Sequence, residues 1–195
     1  PTTAATQDAS SIVAAASKAM GVETLNSITY SGTARNGAFG QSKAIGDPMG
    51  AVNVTRITEY TRTINFAPGG DAAALVSRAT GPTQPPTVPG APAPMPGVFN
   101  QNITGQQASS NWNQGLNVWT TPWGFLRGAS ANNATLRSRK VDGIQYKVLT
   151  WSPAQKAPSG QPYRVVGYIG PDNTVDRVET WVEHPILGDM HDEFI

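Results

Sequence analysis

Two short turn signals in the C-terminal half of the chain constrain its fold most strongly. The dipeptide Asp142-Gly143 divides the alternating apolar and polar pattern of residues 135–151, and Gly170–Asn173 divides that of residues 163–183. Asp-Gly is favoured in tight turns between antiparallel strands, because both residues tolerate positive φ. The sequence therefore predicts two consecutive β-hairpins that form an antiparallel meander.

Two segments predict helices. In residues 8–20, Asp8 or Ser10 can cap the first free amides, and Gly21 is placed to end the helix in a left-handed conformation. Thr121-Pro122 provides a second start signal, because proline suits the first helical position. The apolar stripe of the first helix consists mainly of small residues, so we expect this helix to pack on a larger element.

Further strands are predicted in the N-terminal half. Alternating patterns cover residues 25–35 and 51–66, the second with a bulge near Arg56. Residues 71–80 fit either a short helix or a strand. All these patterns together predict an α+β fold, with a strongly curved antiparallel sheet (a half-barrel) and one or two helices on its concave face.

Composition limits the class of protein. A chain of 195 residues and 20.5 kDa suits one domain, so residues 1–195 are predicted to form a single β-rich domain with a proline-rich loop at residues 81–97. The formal net charge of +1 provides no field to attract nucleic acid, and no apolar run approaches the roughly 20 residues of a membrane span. The absence of cysteine excludes disulfides.

The first residues bear on localisation. Residues 1–7 are small and mostly polar, and they do not begin with methionine. Such an opening is typical of a chain from which a signal peptide has been removed, and trimming of the sequence would look the same. We therefore expect an exported protein, periplasmic or extracellular.

Residues suited to catalysis are few. The chain has two histidines, His184 and His191, and their spacing in a predicted acidic turn fits no metal-binding pattern. Asp176, Glu179 and Glu183 lie along one predicted strand, where pairing with basic side chains across the sheet explains them. No G-x-S-x-G or phosphate-loop motif occurs. We predict that no residue of this chain is catalytic or binds a metal.

Aromatic side chains are the remaining candidates for a functional site. Most of them are expected in the core, but the helices contribute few large aliphatic residues, which makes a filled interior harder to build. A hydrophobic pocket on the concave face is therefore the alternative to plain core packing. The candidate ligand-binding residues are Trp119, Trp123, Phe125, Trp151 and Trp181.

Several separated runs carry a family resemblance when they are taken in chain order. They are AASKAMGVETLNSITYSGTA (15–34), EYTRTINF (59–66), TTPWGFLRGASANNATL (120–136), IQYKVLTW (144–151) and YRVVGYIGPDNTVDRVETWVEHPILGDM (163–190). Together they resemble the N-terminal β-rich domain of exported bacterial metallo-β-lactamase-fold hydrolases. The resemblance implies a half-barrel like that of lipoprotein-localisation factors, with helices across its mouth.

The chain departs from that family at two points. Trp123 stands where the family usually has histidine, and the zinc-binding motif H-x-H-x-D-H does not occur. No catalytic residue is therefore carried over from the family. The chain has no cofactor of its own, and zinc is expected only if a hydrolase domain follows in the same polypeptide. Residues 1–195 alone are predicted not to hydrolyse β-lactams, lactones or thioesters.

Three functions follow as hypotheses. The first is a non-catalytic accessory or binding domain of an exported hydrolase. The second is a free-standing periplasmic carrier of a lipid or another hydrophobic small molecule. The third is a structural module that forms homo-oligomers through unpaired strand edges. The mass of the native product separates the first from the others, because only the first requires a polypeptide much heavier than 20.5 kDa.

Overall fold

The computed structural model describes residues 8–37, 54–66, 72–80, 98–104, 118–154, 156–184 and 188–195. The helices with both ends described are α1 (Ala9–Ala19) and α2 (Pro122–Ala131), and residues 118–120 are also helical. The strands of the N-terminal half are β1 (Ser27–Gly37), β2 (Val54–Phe66), β3 (Ala72–Thr80) and β4 (Val98–Thr104). Those of the C-terminal half are β5 (Thr135–Val141), β6 (Ile144–Trp151), β7 (Val165–Ile169), β8 (Val175–His184) and β9 (Gly188–Phe194).

These residues divide into two compact units, each with its own sheet. The helical unit comprises the described parts of Pro1–Asn26, Phe66–Ala72 and Thr104–Ile195, and its sheet has the order β5-β6-β7-β8-β9. The second unit comprises those of Ser27–Asn65 and Ala73–Ile103, and its sheet has the order β1-β2-β3-β4. The single domain over residues 1–195 stays a prediction, and the proline-rich loop lies outside the described residues.

The four-stranded sheet contains the predicted bulge. β1 and β2 pair in antiparallel orientation. Gly32 lies opposite Tyr60, but Ala34 lies opposite Ile57, so β2 carries one extra residue over this interval. The bulge predicted near Arg56 is thus confirmed just beyond that residue.

The five-stranded sheet contains both predicted hairpins. β5 and β6 are joined by Asp142 (φ 48°) and Gly143 (φ 87°), and positive φ at both central residues is what a type I′ turn requires. β7 and β8 are joined by a turn in which the N–H of Asn173 donates to the carbonyl oxygen of Gly170 at 3.1 Å. Asn173 has φ 64°, a conformation that asparagine tolerates well.

The strand β9 corrects one prediction. The segment that contains His184 and His191 was expected to be an acidic turn, but Gly188–Phe194 pair with β8 as the fifth strand. Apolar side chains alternate along this strand, with Met190 and Phe194 on one face, but the acidic residues between them made the pattern difficult to recognise in the sequence. Acidic residues are common on edge strands because they discourage pairing with the wrong partner, so charge alone did not indicate a turn.

Both helices pack on one face of the five-stranded sheet. Asp8 caps α1 by accepting a hydrogen bond from the N–H of Ser11 at 2.7 Å, and Gly21 follows it with φ 66°. Thr121 caps α2, where its hydroxyl oxygen accepts from the N–H of Gly124 at 3.3 Å. Both predicted helix starts are therefore confirmed. The shared hydrophobic core contains Ile12, Val13, Ala16, Val22, Phe125, Leu126, Ala129, Leu149, Trp151, Val165, Ile169, Val175 and Val178.

The α+β class is confirmed. The sheets are antiparallel and do not close into a barrel, and the five-stranded sheet is somewhat curved. Residues 72–80 are a strand, which decides the choice that the sequence pattern left open. Among the described residues, no helix is long and apolar enough to cross a membrane.

Candidate functional site

Four of the five aromatic candidates pack together on the helix side of the five-stranded sheet. Phe125 is 0% exposed and Trp151 is 3% exposed, with their ring centroids 6.2 Å apart. Trp119 meets Trp151 edge to face at 5.6 Å, and Trp123 packs against the same cluster while remaining partly exposed. Edge-to-face packing is the favourable arrangement for neighbouring rings. These four side chains behave as core.

Two glycines show how tightly the rings are packed. A Cβ at Gly128 of α2 would lie 2.8 Å from Cε2 of Trp151, and closer still to two other atoms of that indole. A Cβ at Gly167 of β7 would lie 2.8 Å from Cδ1 of Phe125, and closer to two more ring atoms. The backbone is thus in contact with both rings, which fill the space between α2 and the sheet.

Trp181 lies on the other face of the five-stranded sheet, where it packs against the cluster of Val148, Val166 and Tyr168. The reason is the period of two along β8, because Val178 and Val182 point toward the helix side and Trp181 does not. The prediction that Trp181 lies with the other four aromatics on the concave face is therefore wrong. We call the face that carries Trp181 the outer face.

The outer face also carries a network of charged and aromatic side chains around Tyr168. The guanidinium of Arg139 donates to the Tyr168 hydroxyl at 2.9 Å, and that hydroxyl donates to Glu179 at 3.2 Å. Arg177 lies over the Tyr168 ring at 4.2 Å and forms ion pairs of 3.3 Å with Glu179 and Glu193. Glu179 therefore pairs with a basic side chain, but with Arg177 of its own strand rather than across the sheet as expected.

The other carboxylates of β8 have local partners. Asp176 accepts a hydrogen bond from the hydroxyl of Thr174 at 3.1 Å, and Glu183 accepts one from the N–H of Ser159 at 3.2 Å. His191 stacks on Trp181 with a centroid distance of 5.2 Å. Within the described part of the chain, no three residues of the metal-binding types come together.

A groove lies between α1 and α2 in the helical unit. It has a volume of about 480 Å³ and is open to solvent along one side. The helices contribute mainly alanine and serine there, and these short side chains leave the space between them unfilled. The lining residues are Ala9, Ser10, Val13, Ala14, Ser17, Val22, Glu23, Leu126, Arg127, Ala129, Ser130, Asn133 and Ala134.

Arg127 is the charged residue of α2, and it connects this helix to the chain after α1. Its Nη2 donates to the carbonyl oxygen of Val22 at 3.2 Å and to that of Leu25. Its guanidinium lies over the ring of Phe66, 5.0 Å from the centroid. Nε of Arg127 is buried and has no hydrogen-bond partner, so one donor of this cation is unsatisfied.

None of the five aromatic candidates lines this groove. Ligand contact at those residues stays a prediction, and the groove does not test it. The sequence contained two signals that point to the groove instead. One is the small-residue stripe of α1, and the other is Arg127, a lone charge in the apolar run of α2. Comparison of the chain with protein-family models, curated proteins and solved structures gives no match.

Proposed function

We propose that this chain is a non-catalytic binding module, which holds a small amphiphilic molecule in the groove between α1 and α2. The observation that carries the proposal is the groove itself, together with Arg127, the cationic residue of its lining. Its volume of about 480 Å³ lies within the roughly 300–1,000 Å³ that small-molecule sites occupy.

The lining suits a ligand with an apolar chain and an anionic head. Val13, Val22 and Leu126 supply apolar surface, while Ser17 and Asn133 add polar groups. A carboxylate head can accept a hydrogen bond from the guanidinium of Arg127, and such charge-assisted bonds contribute about 1.5–3 kcal/mol. Glu23 also lines the groove, but its exposed carboxylate is already hydrated and gains less from a ligand.

The context we propose is an accessory domain of an exported hydrolase, periplasmic or extracellular. The resemblance to the N-terminal region of metallo-β-lactamase-fold enzymes supports it, as does the α+β architecture with helices on one face of an antiparallel sheet. Zinc would then belong to the hydrolase domain of the same polypeptide. The second candidate is a free-standing carrier, which would use the same groove. A native product much heavier than 20.5 kDa would favour the accessory domain.

Isothermal titration calorimetry with saturated fatty acids, each below its micelle concentration, tests the groove. Each methylene that enters the groove adds about 0.8 kcal/mol, so affinity should rise by up to about fourfold per carbon until the groove is full. Undecyltrimethylammonium has the same eleven-carbon alkyl tail as dodecanoate with a cationic head, and it should bind more weakly. Equal affinity for the two heads would contradict the role of Arg127.

A pair of variants locates the site. Ala14 is exposed and lines the groove, whereas Ala19 is exposed on the same helix and does not. Ala14→Phe should abolish fatty-acid binding because the ring occupies the groove, and Ala19→Phe should leave it unchanged. If neither variant binds differently from wild type, the ligand lies elsewhere. If wild type binds none of the chain lengths, the proposed function is wrong.

A further inference from the structure

The two outer strands of the five-stranded sheet carry opposite charge. β5 pairs only with β6, and β9 pairs only with β8, among the described residues. These two strands are therefore the edges of the sheet. The edge strand β5 carries Arg137, Arg139 and Lys140, all of them exposed. The edge strand β9 carries Asp189, Asp192 and Glu193, which are exposed or half-buried. One edge is therefore basic and the other acidic.

This distribution discriminates between the ways in which two copies can meet. Pairing of β5 with β5, or of β9 with β9, would bring like charges together across the new strand pair, which is destabilising. Those are the pairings that a two-fold dimer would use, because a two-fold axis places the same surface of both copies in contact. Pairing of β9 with β5 brings opposite charges together. The edges thus oppose a symmetric dimer and favour a head-to-tail contact.

The faces of the two strands also match. Four successive antiparallel pairings separate β5 from β9, so both strands run in the same direction. A second copy with its helices on the same side therefore presents β5 parallel to β9. Arg137 and Arg139 of β5 lie on the outer face, because they are opposite Val148 and Tyr146. Asp189 and Glu193 of β9 lie on that face too, in register with Glu183 and Glu179.

The helix-side face matches in the same orientation. Leu136 of β5 packs against the main core and lies on the helix side, as does Met190 of β9, which packs near Val182. Lys140 shares that face of β5 and Asp192 shares that face of β9. A parallel contact between β9 and β5 therefore brings carboxylates close to guanidinium groups on the outer face. On the helix side, it brings Leu136 close to Met190 and Lys140 close to Asp192.

We propose that copies of this chain associate head to tail, with the acidic edge β9 of one copy paired to the basic edge β5 of the next. The partner is a second copy of this chain, and the contact uses surfaces distinct from the ligand groove. A head-to-tail contact leaves one free edge of each sign at the ends, so it extends into a row of copies or closes into a ring. Existing contacts of Arg139 with Tyr168, and of Glu193 with Arg177, hold two of these side chains on the outer face.

Sedimentation velocity over a concentration series tests the association, with charge-reversal variants of each edge. Asp189→Lys with Glu193→Lys makes both edges basic, and Arg137→Glu with Arg139→Glu makes both edges acidic. At low salt, the sedimentation coefficient of the wild-type protein should rise with concentration. Each variant alone should lose this dependence. An equimolar mixture of the two should regain it, because every contact between unlike variants is again between opposite charges.

Controls keep the test decisive. Lys18→Glu with Lys156→Glu makes the same net charge change as Arg137→Glu with Arg139→Glu, on exposed residues away from both edges, and it should associate like wild type. High salt should weaken the wild-type association, since exposed ion pairs are screened. Circular dichroism establishes that each variant is folded, and Ala14→Phe should associate normally, which separates this proposal from the groove.

Three results would overturn the proposal. The first is a wild-type monomer at every concentration at low salt, in which case the edge charges prevent pairing altogether. The second is unchanged association of both edge variants. The third is a folded mixture of the two variants that stays monomeric.

Discussion

Gly128→Ala is expected to destabilise the protein, although alanine favours a helix more than glycine does. In an exposed helix interior this substitution stabilises by about 1 kcal/mol. At Gly128, however, the new Cβ would lie 2.8 Å from Cε2 of Trp151 and closer to the rest of that ring, against roughly 3.5 Å for a comfortable carbon contact. Trp151 is 3% exposed and is held by Phe125 and Trp119, so it has little room to move.

The size of the effect follows from these two opposing contributions. Overpacking of a filled core costs typically about 1–3 kcal/mol, and this approach belongs at the upper end of that range. After the gain in helix propensity, we expect a net loss of about 2 kcal/mol in the free energy of unfolding. The measurement is urea denaturation followed by far-ultraviolet circular dichroism. Ser130→Ala on the same helix is the control, and it should be neutral or slightly stabilising because Ser130 is exposed.

A double-mutant cycle attributes the loss to the indole. Trp151→Phe removes ring atoms that the new Cβ would meet, so Gly128→Ala should cost at least about 1 kcal/mol less in that background. A Gly128→Ala protein as stable as wild type would refute the reasoning. It would mean that space remains beside Trp151, as the sequence-based pocket hypothesis requires.

Three further predictions concern stability. Phe125→Ala should cost about 3–5 kcal/mol because the ring is fully buried, whereas Trp123→Ala should cost less because Trp123 is partly exposed; equal losses in urea denaturation would contradict this. Asp8→Ala should cost about 1 kcal/mol by removing the cap of α1, and Asp8→Asn should preserve most of that contribution, so equal losses for the two variants would argue against the cap. Burial, and secondarily the negative charge of Glu183, raise the pKa of Tyr163. The contribution of Tyr163 to the free energy of unfolding is therefore complete below about pH 10, where the tyrosine keeps its proton in the unfolded state as well. This contribution decreases as the pH rises above that value. Tyr163→Phe should flatten this alkaline decline in thermal stability, and an unchanged decline would show that other groups cause it.

Local signals predicted much of the fold. The Asp142-Gly143 turn, the cap at Thr121 and the end of α1 at Gly21 each depend on the conformation of a few neighbouring residues. Such preferences act before any long-range contact forms, so they can be read from the sequence. The division of the strands into two sheets depends on which distant segments pair, and no local pattern encodes that choice.

The candidate site was harder to predict, for two physical reasons. Trp181 was grouped with the other aromatics by residue type, although the alternation of Val178, Trp181 and Val182 along β8 already indicates that it faces away from the core. The groove forms between α1 and α2, which are more than a hundred residues apart in sequence. The groove exists because both helices have short side chains where they face each other. Small residues in a single helix are only a weak indication of such a groove.

The central claim is that the groove between α1 and α2 binds an amphiphile. The most direct test is amide chemical-shift mapping by NMR of the labelled protein, titrated with dodecanoate below its micelle concentration. We expect the largest shifts at Ala14, Ser17, Ser130 and Asn133, with saturation at one ligand per chain. Shifts centred on Trp181 and the outer face, or no saturable shifts at all, would contradict it.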